Sequence, residues 1–346
     1  MGKQFFIFFI CAILVSSVFA FSACGGSRNG SGGGGGGGGG TSSEDSGDGG
    51  NIVGDLLGGL TGGKKSTVEE DPNLPDRNTT PIVLDNIASG AQTAEGNGAV
   101  IDYSNASDGY IMAKYDGDNP KIKLQITKDG EATYTYDLWP NKGYDAFPLS
   151  LDSGNYSMAV FTNIQGDQYS QACAAVVQAD IADTFSPFLR PNQFSSFTSS
   201  TRAVSKGAEI AQGSKTDLGT IEKIFIFITE NVSYDYEKAA TVQPGYLPVV
   251  DETLSTGKGI CFDYAALMTC MLRTQRIPCR LVVGYAGDAY HAWISVHVDG
   301  VGWVANMIQF NDDKWTFMDP TFAASGDRAD PNVIGDGENY NAMFFY

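Results

Sequence analysis

Between Thr256 and Phe322 the chain carries three residues that together could do covalent acyl chemistry, in the order thiol, imidazole, carboxylate. Cys261 lies in GKGICFDYA (residues 257–265), His291 in YHAWISV (290–296) and Asp319 in WTFMDPTF (315–322). A thiol nucleophile, a base that takes its proton and an acid that orients the base form the general triad.

Each of the three falls where local structure would place it at an element end. Cys261, Ala265, Met268 and Leu272 recur at helical spacing, so Cys261 opens a helix. There the helix dipole and free backbone N–H groups favour a thiolate, and the Cys261 N–H can hold an oxyanion. Gly257 and Gly259 let the backbone enter that turn, and Asp263 complements the dipole in the first turn. His291 opens a strand in which Ala292, Ile294, Val296 and Val298 face one way and His291, Trp293, Ser295 and His297 the other. His297 is the second of two histidines. It lies roughly 20 Å further along that strand, so both cannot serve one small site. Asp319 closes a second strand-like run with Trp315 and Phe317, before Pro320. Taken singly, a buried Cys, a strand His and an Asp-Pro turn are ordinary; their order and placement together carry the reading.

Those three segments resemble the transglutaminase-like superfamily of papain-type thiol enzymes. Arg276-Ile277-Pro278-Cys279-Arg280, followed by Val283-Gly284-Tyr285, resembles the family's G-I-P-A-R … G-Y connection, with Arg276 and Cys279 where Gly and Ala are usual. Asn231 to Tyr236 adds a further likeness. The resemblance implies Cys261 as nucleophile, His291 as base and Asp319 as orienting acid. It also implies an α+β domain over 190–346, with the Cys helix packed on an antiparallel sheet. The implied activity is acyl transfer through a thioacyl intermediate, hydrolysing peptide or amide bonds. Transfer to an amine, as in a crosslinking transglutaminase, is the alternative, and a catalytically silent binding or adhesion module is the other. Gln243, Tyr234 and Tyr236 are candidates for a second oxyanion donor.

Elements must position these groups. Leu218 to Asn231 reads as a helix with Leu218, Ile221, Phe225 and Ile228 on its buried stripe and Asp217 as N-cap. Ser200 to Gln212 reads as another helix, and Thr241 to Thr256 as a long connection walling the cleft. After the Cys helix come strands over 280–285, 291–298, 303–310 and 314–318, and 340–346 reads as an edge strand. Upstream, residues 81–185 alternate in seven short runs separated by turns such as Asp152-Ser153-Gly154, the pattern of an immunoglobulin-like β-sandwich. Its aromatics, among them Tyr134, Tyr136 and Trp139, read as core and cross-strand pairs.

Residues 1–23 read as an export signal: Lys3, then an apolar run from Phe5 to Ala20, then Phe21-Ser22-Ala23-Cys24, which resembles a lipobox. Cys24 is the expected lipidation site, anchoring the chain to the membrane of a bacterial cell surface. Residues 24–80, with glycine unbroken from Gly32 to Gly40, read as a linker with an r.m.s. reach of roughly 40 Å. The net charge of −18 argues against nucleic acid and against electrostatic docking to anionic lipid. With two histidines far apart and no CxxC pair, no metal and no cofactor is expected. The expected partner is a protein or peptide substrate, cell-wall peptide included.

Overall fold

The computed structural model describes residues 70–305, 308–311, 314–317, 321 and 340–346. The export segment, Cys24, the glycine run and Asp319 lie outside the described residues.

Alternation builds the first half. Strands β1 Thr93–Gly96, β2 Ala99–Asp102, β3 Tyr110–Tyr115, β4 Ile122–Lys128, β5 Thr133–Leu138, β6 Asp145–Pro148, β7 Gly154–Gln165 and β8 Gln168–Ala179 follow one another. They pair antiparallel into two four-stranded sheets, ordered β1-β2-β3-β6 and β5-β4-β7-β8. On β4, Ile122, Leu124 and Ile126 are buried, while Lys123, Gln125 and Thr127 face outward, as the period of two requires. Ile101, Ile111 and Phe147 from one sheet and Leu124, Tyr136 and Val160 from the other belong to one apolar cluster. Tyr156, near the start of β7, donates its hydroxyl to Asp152 O (2.8 Å) and accepts from Leu151 N–H (3.2 Å), which fixes the β6–β7 corner.

The second half is helices on an antiparallel sheet, so the chain is α+β. Helices α1 Arg202–Ala211, α2 Asp217–Asn231, α3 Tyr236–Thr241, α4 Val250–Thr256 and α5 Cys261–Thr274 precede β11 Cys279–Ala286, β12 Ala289–Val298, β13 Gly302–Ala305 and β16 Tyr340–Phe345. The sheet order is β13-β12-β11-β16, with β16 the expected edge strand. Among the described residues the run read as one strand over 303–310 divides: β13 stays in this sheet, while β14 Ile308–Asn311 pairs with β15 Lys314–Phe317. The short β9 Ser233–Tyr234 and β10 Lys258–Gly259 pair parallel just ahead of the Cys helix.

Three further expectations change. The N-cap of α2 is Thr216, whose hydroxyl accepts from Gly219 N–H at 3.0 Å; Asp217 is drawn instead to Arg77. The connection over 241–256 contains a helix, α4, ended by Gly257 in the left-handed region (φ 60°). Also, the stretch from Glu70 to Thr80, read as linker from composition, packs on the second half: Glu70 accepts from Lys215 N–H, Thr216 N–H and the Thr216 hydroxyl.

Arg276 explains its own departure from the family pattern. Helix α5 ends in a Schellman turn: Ile277 N–H donates to Leu272 O (3.1 Å) and Arg276 N–H to Arg273 O (2.9 Å). Arg276 is therefore at φ 64°, where glycine costs least. Its guanidinium offsets that strain by donating to Thr80 O and Asn78 O. Arg276→Ala should cost about 1–3 kcal/mol, keeping the strain and losing both bonds. Arg276→Gly should cost about 1 kcal/mol less than the alanine variant. Urea unfolding of the two variants checks the order, which reverses if the strain is not real.

Candidate active site

Cys261 is the first residue of α5. Gly257 ends α4 with φ 60°, and Gly259 leaves room that a Cβ would lose, since it would lie 2.6 Å from the Cβ of Asp263. Ile260 is extended (φ −92°, ψ 174°), and the helix begins at Cys261. All fourteen residues of α5 are buried, so the helix is the centre of the second half.

Asp263 does more than complement the dipole. Its carboxylate accepts Ile260 N–H (2.8 Å) and the Tyr246 hydroxyl, and lies 2.9 Å from Lys238 Nζ. Lys238 also donates to the Tyr246 hydroxyl and sits over that ring, 4.4 Å from its centroid. Burial, then the Asp263 carboxylate, pushes the Tyr246 phenol well above its ordinary pKa. This cluster fastens the thiol end of α5 to α3 and to the loop after it. Sequence reading missed it, because Lys238 and Tyr246 belong to no motif and meet Asp263 only in the fold.

The topology brings Cys261 and His291 to one end. Helix α5 runs toward its C-terminus, where Arg273 Nε donates to Cys279 O at the start of β11 (2.9 Å). β11 then runs back antiparallel to the helix, and its last residues, Gly284 and Ala286, pair with His291 and Ala289 on β12. The thiol end of the helix and the imidazole end of the strand thus coincide. Tyr290 reports the same proximity: burial first, then Tyr285, then the charge of a Cys261 thiolate raise its phenol pKa. His291 is 7 % exposed, stacks near-parallel on Trp293 (centroids 6.0 Å, 23°) and neighbours Tyr340 at 6.3 Å. His297 packs at the far end of the strand on Phe185 and Trp303, clear of this site.

A cavity of about 60 Å³ opens beside His291. Phe262, Tyr246, Tyr290 and Val283 wall it from the second half, Tyr136 and Trp139 from the sandwich, and Gln193 from the junction. Cys261 is 1 % exposed, and its neighbour Phe262 is the α5 residue in this wall. Two of the suggested oxyanion donors are placed otherwise: Tyr236 is 56 % exposed and packs edge-on with Tyr234, and Gln243 donates to Thr241 O at the end of α3. Tyr290 lines the cavity and is near enough to Cys261 to feel its charge.

Among the described residues, the other cysteines are neither disulfide-bonded nor activated. Cys173, Cys270 and Cys279 are buried and form no disulfide. Burial pushes the Cys173 and Cys279 thiols up to about 11, and Cys270 higher still. The thiolate is the reactive form, so at pH 7.5 these three should stay unlabelled by iodoacetamide in the folded chain over hours. Peptide mass spectrometry before and after denaturation checks this. Among the described residues there is no cluster of ligands for a metal, and no helix is long and apolar enough to cross a membrane.

Parts of the chain are similar to known proteins. The family model described as transglutaminase-like superfamily matches residues 205–320. A UPF0252 protein of Methanocaldococcus jannaschii is 31% identical over 102 residues, 26% of this chain and 29% of that protein. Kyphoscoliosis peptidase of Mus musculus is 26% identical over 129 residues, 32% of this chain and 19% of the peptidase. The match thus spans less than a third of either relative's length. A solved structure, a candidate cysteine protease from Cytophaga hutchinsonii, aligns over 73% of this chain and 78% of its own, at 14% identity and a TM-score of 0.35. Residues 205–320, with the Cys261 helix and the His291 strand inside them, are a domain of the transglutaminase-like superfamily.

Proposed function

We propose that the chain is a thiol-dependent acyl-transfer enzyme acting on peptide or amide bonds. The observation that carries the reading is the coincidence of the α5 N-terminus and the His291 end of β12 beside one cavity. Cys261 gives its thiol proton to His291 and attacks the amide carbonyl. The oxyanion is met by the Cys261 backbone N–H at the helix start. The C–N bond breaks as His291 returns the proton to the leaving amine, leaving a thioester. Water, deprotonated by His291, then releases the acid and restores the thiol. Asp319 orients His291 by accepting the proton of its other ring nitrogen. An amine in place of water would give a crosslink. Hydrolysis is the reading preferred, supported by the stretch shared with a relative that is named a peptidase.

The first half is an immunoglobulin-like sandwich, a reading supported by its strand order and the Tyr156 corner. Cys24 is lipidated after export, and the glycine linker carries the folded part clear of a bacterial membrane.

The test is the rate of iodoacetamide labelling at Cys261 against pH, with His291→Ala beside it. Fast labelling at neutral pH, slowed about tenfold or more by the substitution, is expected of a thiolate held by imidazolium. Labelling no faster than an ordinary thiol, and indifferent to His291, would leave Cys261 a core residue and the domain a binding module.

A further inference from the structure

The cavity beside His291 is built with unfilled hydrogen-bonding capacity. Tyr136 Oη, Tyr290 Oη and Gln193 Oε1 are buried and find no hydrogen-bond partner among the described residues. Tyr136 is 2 % exposed and Gln193 5 %. Gln193 Nε2 is committed to Asp137 O (2.8 Å), so its amide oxygen is fixed as an acceptor. A buried polar atom without a partner is costly, and three around one cavity imply a polar group that enters it. The cavity's volume of about 60 Å³ exceeds the ~10–15 Å³ that one water needs and suits one small polar group.

That cavity continues onto the sandwich. A second, open groove of about 840 Å³ shares Lys123, Thr135, Asp137, Trp139 and Gly245 with it. Its floor is the outward face of the β5-β4-β7-β8 sheet. Asp137, Lys123 and Phe161 stand side by side across β5, β4 and β7, with Gln125 beside Thr135 in the next paired row of β4 and β5. Lys123 pairs with Asp137 at 2.5 Å, and Trp139 and Tyr169 complete the walls. The expectation that Trp139 is a core or cross-strand aromatic does not hold; it lines the groove where the two halves meet.

We infer that the sandwich is the substrate-selecting half of the enzyme. An extended polypeptide lies along the β5-β4-β7 face, and one of its polar groups enters the cavity between Tyr136, Gln193 and Tyr290. The inference rests on the proposed amide chemistry, since an amide reacting at Cys261 brings flanking chain that must lie somewhere. The long, open groove continuous with the His291 cavity accommodates it. Paired charges, Gln and Thr hydrogen-bonding groups, and Trp139 and Phe161 as apolar contacts suit a chain of mixed sequence.

The experiment titrates the full chain carrying Cys261→Ala with fluorescein-labelled β-casein, an unfolded polypeptide, and reads anisotropy. Saturable binding is expected. It should weaken about tenfold in Trp139→Ala/Phe161→Ala, as loss of aromatic anchors does, and separately in Lys123→Glu. It should be unchanged in Val176→Ala, an exposed apolar residue of the same sheet outside the groove. Thermal midpoints of each variant guard against misfolding. No saturable binding, equal binding by the groove variants, or displacement of casein by dextran would each overturn the proposal. Slow, His291-indifferent labelling of Cys261 with casein binding intact would remove the enzymatic reading and leave the groove as a polypeptide site.

Discussion

Turnover of a susceptible peptide amide should fall by about 10⁴-fold or more in Cys261→Ala, by a comparable factor in His291→Ala, and by hardly more in the double variant. The lack of additivity is the informative part. A nucleophile and its base act on the same proton, so removing either removes the shared step and the second loss costs little. Were His291 only a packed strand residue, stacked on Trp293 beside Tyr340, its loss would act through stability. The two effects would then multiply. Cys261→Ala should leave the thermal midpoint within a few degrees of the parent chain, because alanine fills nearly the same space at the first residue of α5 and keeps its backbone N–H. Rate constants for the four proteins, with midpoints beside them, decide the matter. Full additivity would separate Cys261 from His291.

The elements that carry these residues were readable wherever burial imposes a period. The seven strands read between Ala99 and Gln178 all form, because one face of each lies on a core: Ile122, Leu124 and Ile126 alternate with Lys123, Gln125 and Thr127. β1 (Thr-Ala-Glu-Gly) escaped because it has no such alternation and is held by its pairing with β2. Helix α4 (VDETLST) escaped because it shows no apolar stripe. Its Asp251 instead caps α1 at a distance, accepting from Arg202 N–H (3.0 Å) and Ala203 N–H (2.9 Å). The choice of Thr216 over Asp217 as N-cap follows from Arg77, far back in the chain, which takes the carboxylate. The site itself divides the same way. Cys261 and His291 announce themselves by type and by element end. The cavity does not, because Tyr136, Gln193 and Tyr290 come from three separate segments and share no spacing. Tyr136 even obeys the alternation of a core residue, and its place in the wall of His291's cavity depends on residues far along the chain.

The docking of the sandwich on the second half depends on one buried cation, and its loss should be the most damaging structural change outside the site. Arg273 is 1 % exposed at the end of α5. Its guanidinium donates to Cys279 O twice (2.9 and 2.7 Å), to Tyr346 O (2.6 Å) and to Arg190 O. It thus joins the helix to β11, to the end of β16 and to the junction that leads from the sandwich. Tyr346 in turn packs edge-on against Tyr134 and Tyr136 of the sandwich, at 5.6 and 5.7 Å. Burial lowers the guanidinium to about 10, so it is still charged at neutral pH. Backbone oxygens of Cys279, Tyr346 and Arg190, with the negative end of the helix, hold the charge. Arg273→Leu removes the donors to three backbone oxygens, two of them in buried bonds, and should destabilise by about 3–5 kcal/mol, net of the desolvation relieved. At about 2–4 °C per kcal/mol, the midpoint should fall by about 6–20 °C. Arg273→Lys should recover only part of this, since one ammonium cannot span carbonyls arranged around a planar fork. Below its midpoint the leucine variant should also lose turnover, because the same helix sets the position of Cys261 at its other end. Calorimetry of the two variants tests the argument, and a leucine variant that melts with the parent would show that packing alone holds the helix in place.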